Sequence, residues 1–142
     1  MNIPLSSYPR IVIIGGGFGG VSLAKKLSKK EVQVVLIDKN NYHTFQPLLY
    51  QVSTGGLEPD SIAYPLRKVL IGYDNFYFRL AEVENIDTAG KKLNTNIGDI
   101  TYDYLVVATG SETNFFGNEE IEKNAMSMKS IPQSLNLRSL IL

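Results

Sequence analysis

The stretch Arg10–Leu27, RIVIIGGGFGGVSLAKKL, decides how the rest of the chain is read. Five of the six positions from Gly15 to Gly20 are glycine, set between a β-branched run and a run with helical spacing. Glycine loses more conformational freedom on folding than any other residue, so some partner interaction has to offset that cost. Gly15, Gly17 and Gly20 fit the pattern G-x-G-x-x-G. In that pattern the first glycine turns the chain out of a strand. The second lets a pyrophosphate approach the backbone, and the third lets the next helix pack close to the sheet. Backbone N–H groups at the helix start, around Phe18 and Gly19, then face the phosphates, and the helix dipole adds to the attraction. A P-loop is excluded, because Val21 follows Gly20 where that motif requires lysine.

The flanks supply the context the motif needs. Arg10–Ile14 reads as a buried parallel strand, Phe18–Lys30 as a helix and Val32–Ile37 as a second buried strand. Val21, Ala24 and Leu27 mark the inner stripe of the helix. Together they predict a βαβ unit with a right-handed crossover. Asp38 ends the second strand, 18 residues beyond Gly20. A carboxylate there can accept hydrogen bonds from the adenosine ribose hydroxyls and would repel a 2′-phosphate, which disfavours NADP. FAD and NAD share the adenosine diphosphate half, so this motif alone does not separate them.

Composition sets the outer limits. The 142 residues are 44% hydrophobic and carry no formal net charge, which suits one soluble domain with a real core; the βαβ pattern makes its class α/β. Charge neutrality argues against nucleic acid as a partner. Lys25, Lys26, Lys29 and Lys30 read as a solvated helix face. No cysteine is present, so there is no disulfide framework, thiolate metal site or redox-active Cys pair. No cluster has metal-ligand spacing, and a single histidine, His43, supports no catalytic triad. Residues 1–9 read as a leader to the first strand, and residues 10–142 as one portion of a dinucleotide-binding domain.

Downstream the regular βα alternation lapses. Pro47 opens a short helix predicted to run to about Thr54, with Gly55 and Gly56 ending it. Ser61–Ile71 reads as a helix with Ile62, Leu66, Val69 and Leu70 on one side, and Asn75–Val83 as an aromatic-rich strand. Tyr73, Phe76, Tyr77 and Phe78 lack an accompanying basic stripe, so they read as strand packing and not base stacking. Glu84–Ile100 reads as a meander turning at Ala89-Gly90, and Tyr102–Ser111 as a further strand ending in Ala-Thr-Gly. Asn114–Met128 reads as irregular. A last helix opens at Ser130 as N-cap, with Pro132 in its first turn and Gln133 completing a capping box.

This order, a glycine fingerprint, a long insertion bearing FQPLLYQ, a meander and then ATG, resembles the FAD domain of the flavoproteins with two dinucleotide-binding domains, the glutathione-reductase-like group. The resemblance implies an FAD/NAD(P)-binding fold: a Rossmann-like parallel sheet with a β-meander insertion, present here in part. It implies that Ala108, Thr109 and Gly110 lie against the flavin nucleotide and that Val83 offers backbone groups to the adenine. Asp38–Arg67, DKNNYHTFQPLLYQVSTGGLEPDSIAYPLR, is similar to type II NADH dehydrogenases, the single-subunit NADH:quinone oxidoreductases. Pro47-Leu48-Leu49 and Gly55 match their pattern, while Tyr50 stands where many members carry Pro or His. The resemblance spans roughly residues 10–117 and places Phe45, Gln46, Pro47 and Leu48 near the isoalloxazine.

It implies a parent about three times longer, with bound FAD, NADH as substrate and a quinone as acceptor. The parent would be peripheral at the cytoplasmic side of the cell membrane through C-terminal segments beyond Leu142. The 142-residue piece is expected to be soluble and inactive alone, and an apolar last helix fits a truncation. Whether the parent is a homodimer stays open. Two other functions remain: an NADH-dependent reductase of a soluble carrier such as ferredoxin or rubredoxin, and a non-catalytic adenine-nucleotide sensor. Lys39 lies either near the phosphates or in water. His43 is expected to hydrogen-bond local backbone and is assigned no catalytic role.

Overall fold

A computed structural model describes all 142 residues. The chain folds as two compact units, Met1–His43 with Pro65–Gly110, and Thr44–Tyr64 with Ser111–Leu142. The first is built on a four-stranded parallel sheet of β1 (Arg10–Ile14), β2 (Gln33–Asp38), β5 (Phe76–Leu80) and β9 (Tyr104–Val107). Their order across the sheet is β5-β2-β1-β9. The chain thus adds strands to one side of β1 and then crosses to the other. Such a reversal opens a crevice at the carboxyl ends of the two strands beside it, the usual ligand site of an open α/β sheet.

Alternating strand residues feed two separate cores. Val12 and Ile14 of β1 and Val35 and Ile37 of β2 join Leu93, Ile100 and Tyr102 on one face. That face is covered by the antiparallel meander of β6 (Val83–Asp87), β7 (Lys92–Thr95) and β8 (Ile100–Thr101). Ile13, Val34 and Leu36 point the other way, to Val21 and Ala24 of helix α1 (Phe18–Leu27) and to Leu66, Leu70 and Phe78. A strand buried on both faces explains why β1 and β2 are apolar without alternation. The leader is no loose tail. The Met1 ammonium donates to the Asp99 carbonyl at 3.0 Å, the Gln33 amide donates to Pro4 O at 2.9 Å, and Met1 and Ile3 pack on the meander-side core.

Several boundaries depart from expectation for local reasons. Helix α1 stops at Leu27, three residues short of Lys30, where the Ser28 hydroxyl donates to the Lys25 carbonyl. The helix read over Ser61–Ile71 does not form. In its place come a 3-10 turn (Pro59–Ser61), strand β4 (Ala63–Pro65) and a single helical turn, α3 (Leu66–Val69). Pro65 lacks an N–H and biases Tyr64 toward extended backbone, so a helix cannot pass through it. The strand read over Asn75–Val83 ends at Leu80: the Ala81 N–H makes the last ladder bond, to the Asp38 carbonyl, and the Glu82 N–H then turns to the Asn96 side chain. Val83 therefore opens the meander rather than closing the preceding strand.

Strands β3 (Tyr42–Thr44) and β4 form a two-stranded sheet. In the second unit a 3-10 turn (Gln46–Leu48) leads into α2 (Leu49–Ser53), which packs against α5 (Ile131–Ile141). The segment read as irregular holds a short helix, α4 (Glu119–Asn124), capped by Asn118 Oδ1 accepting from the Ile121 N–H. Ser130 caps α5 as expected, its Oγ accepting from the Gln133 N–H at 3.4 Å. The return half of the capping box lands one residue earlier: Gln133 Oε1 accepts from the Lys129 N–H at 2.8 Å.

Candidate functional site

The crevice at the carboxyl ends of β1 and β9 is formed by two turns in close contact. The Gly15 N–H extends the ladder to the Ile37 carbonyl, and the Ala108 N–H extends it to Ile14, both at 2.8 Å. Gly15 sits at φ +107°, and a Cβ there would lie 2.3 Å from the Ala108 carbonyl oxygen. Glycine is thus demanded twice, by the backbone angle and by the neighbouring turn. At Gly20 a Cβ would lie 1.8 Å from the Gly15 carbonyl oxygen, so the first turn of α1 rests directly on the loop.

Gly17 differs. A Cβ there would meet nothing within 4 Å, and its φ of −75° is one any residue adopts. Neither protein contact nor backbone angle demands a glycine at this position. Gly17, Phe18 and Gly19 are exposed while Gly15, Gly16 and Gly20 are buried. The turn therefore presents bare main chain to open space at the start of α1, where no side chain caps the first N–H groups. N–H groups at the positive end of a helix dipole attract an anion.

Asp38 lies at this turn, not across the sheet from it. Its Oδ2 accepts from the Gly16 N–H at 2.5 Å and its Oδ1 from the Asn40 N–H at 2.7 Å. Each carboxylate oxygen has a second lone pair available to a hydroxyl donor. Lys39 beside it is exposed. Thr109 and Gly110 are exposed just beyond β9, and Gly110 has φ +77° with open space around it. Val83 packs against the meander-side core, two residues past the Ala81 N–H that bonds to the Asp38 carbonyl. Arg79, paired in register with Ile37, has its pKa lowered by burial and by the positive charge of Arg67.

Gln46, Pro47 and Leu48 belong to the second unit, where Gln46 and Pro47 are exposed and Leu48 is half-buried. Two residues at the turn carry more than the sequence reading gave them. Gly16 is buried, and a Cβ there would lie 2.5 Å from a Leu66 methyl, so the middle glycine of the triplet is also sterically fixed. His43 lies in β3, and its Nδ1 is 2.9 Å from the Gly16 carbonyl oxygen, a partner 27 residues away rather than local. The unbroken Gly15-Gly16-Gly17 run was the available signal for the first. Nothing in the sequence spacing marks the second.

The family model for pyridine nucleotide-disulphide oxidoreductases matches residues 9–140. The chain belongs to that family. It is 43% identical over 137 residues to the type II NADH:quinone oxidoreductase NdhA of Mycobacterium tuberculosis, covering 94% of this chain and 29% of that protein. Among solved structures, the sulfide:quinone oxidoreductase of Aquifex aeolicus superposes with TM-score 0.82 at 30% identity, over 94% of this chain and 31% of that one. NDH2 of Plasmodium falciparum, solved in complex with NADH, superposes with TM-score 0.82 at 28% identity, over 92% of this chain and 28% of that one. The chain thus spans about a third of the length of these relatives. The disulphide in the family's description has no thiol here, since the chain contains no cysteine. The expected α/β fold, with a parallel sheet and a meander, is the one found. No helix is long and apolar enough to cross a membrane.

Proposed function

We propose that this chain is the FAD-binding portion of an NADH:quinone oxidoreductase, and that the whole protein carries electrons from NADH through FAD to a membrane quinone. The observation that carries the cofactor reading is the division of labour among the glycines. Gly15 and Gly20 are explained by protein contacts, whereas Gly17 is left facing open space in the way a diphosphate requires. The similarity to type II NADH:quinone oxidoreductases over nearly the whole chain supports quinone as the acceptor.

FAD, when bound, supplies the capacity to take up a hydride and release electrons onward. The chain's own residues hold and shield it. Backbone N–H groups of Gly17, Phe18, Gly19 and Gly20 hold the diphosphate, and the free lone pairs of Asp38 receive the ribose hydroxyls. Ala108, Thr109 and Gly110 line the nucleotide, Lys39 adds positive charge near the phosphates, and Val83 offers backbone groups to the adenine. Gln46, Pro47 and Leu48 belong beside the flavin ring, where Pro47, lacking an N–H, contributes shape alone. Membrane association at the cytoplasmic face falls to the remainder of the parent.

Anaerobic titration of the full-length protein with NADH and then menaquinone tests this reading. Visible flavin absorbance should fall on adding NADH and return on adding the quinone. A flavin that NADH does not bleach would reject the assignment, and recovery with ferredoxin but not menaquinone would replace the quinone by a soluble carrier.

A further inference from the structure

Gly16 is gripped from two sides. Asp38 Oδ2 accepts its N–H, and His43 Nδ1 faces its carbonyl oxygen at 2.9 Å. A carbonyl can only accept, so His43 donates through Nδ1–H, which fixes its tautomer on that side. The ring is held in turn by Phe18, the first residue of α1, in an edge-to-face contact with centroids 5.0 Å apart and planes at 86°. The geometry is favourable for aromatic pairs. Phe18 and His43 are far apart in sequence, and the proposed electron transfer uses neither side chain.

We propose that His43, held by Phe18, is a positioning residue that aims the Gly17 N–H for diphosphate binding; this rests on the dinucleotide reading above. A peptide unit is planar and trans, so its C=O and the following N–H point in opposite directions. Holding the Gly16 carbonyl toward His43 therefore turns the Gly17 N–H away from it. The preceding unit is fixed the same way, with the Gly15 carbonyl against Gly20 and the Gly16 N–H on Asp38. Two successive peptide planes in a glycine-rich stretch of the chain are thus set before any ligand arrives. Preorganisation of this kind raises affinity by removing the ordering cost from the binding step. The predicted selectivity is for the diphosphate, because His43, unlike Asp38, is assigned to neither the adenine nor the ribose.

The test uses full-length protein freed of its flavin and measures binding of ADP and of adenosine by calorimetry, with FAD alongside. His43→Leu should weaken ADP about five- to tenfold, the scale of one net hydrogen bond, and leave adenosine unchanged. His43→Asn, whose amide nitrogen takes the place of Nδ1, should restore most of the loss. His43→Gln, whose amide lies one carbon further out, should not. If His43→Leu does not fold, the Asn and Gln variants carry the comparison between them. Equal ADP affinity in all variants overturns the proposal, as does a parallel loss of ADP and adenosine. Wild-type protein that binds neither ADP nor FAD would reject the dinucleotide reading itself.

Discussion

Two turns flanked by apolar residues, one led by glycine and one by proline, solve opposite problems. In the first unit the glycine turn spends side chains on holding backbone. Asp38, His43 and Leu66 all act on Gly16, and the result is exposed main chain at Gly17. In the second unit the segment Phe45–Ser53 spends backbone on holding side chains. The 3-10 turn set by Pro47 starts α2, whose Leu49 and Val52 are buried, while Gln46 and Pro47 stay exposed. The first turn leaves peptide main chain exposed. The second leaves side chains exposed, those that the core of its own unit has not taken.

This contrast can be broken by substitution. Gly20→Ala should cost most, above about 3 kcal/mol of stability by thermal melting, since its Cβ runs into main chain that cannot move aside. Leu49→Ala in the second unit comes next, at about 2–5 kcal/mol, because a buried methyl-rich side chain leaves a cavity. Gly17→Ala should leave melting within about 1 kcal/mol of wild type, as its backbone angles suit alanine while the N-cap position favours glycine. The same change should lower ADP and FAD affinity at least tenfold, read by calorimetry. A Gly17→Ala protein that binds ADP normally would remove the distinction between the two turns.

The smallest effect lies far from either turn. Hydrogen bonds from Lys92 and then Asn94 hold the Asp99 carboxyl below its ordinary value of 3.8. A carboxylate with a lowered folded pKa adds stability above its unfolded value, and that stability is lost as pH falls through the folded one. Acid unfolding curves of wild type and Asp99→Asn should therefore converge only at pH values below the ordinary carboxylate value of 3.8. Above pH 5 they should differ only slightly, since the group is exposed.

What could be read in advance follows from range. Arg10–Ile14 and Gln33–Asp38 are legible because strands buried on both faces carry apolar residues without alternation, and Tyr104–Val107, a more exposed edge strand, is legible from its apolar run alone. The capping of α5 by Ser130 is legible because its partner lies within one turn. The over-long helix across Pro65 came from weighing the spacing of Ile62, Leu66 and Leu70 above the proline. All three are buried, but Ile62 lies in one unit and Leu66 and Leu70 in the other. Asp38 was found from its place at a strand end. Its two backbone partners were not, and neither was the reach of His43 to Gly16, because such contacts depend on where the chain returns after tens of residues.

The order β5-β2-β1-β9 also has a temporal side. The strand at Arg10–Ile14 is synthesised well before Tyr104–Val107, for which one of its two edges waits. Until those residues are made, a run of isoleucine and valine is available to any passing strand. Pairing at such sequence separation makes folding slow. Chaperone engagement with the nascent chain should accordingly centre on this run and fade once residue 107 has emerged.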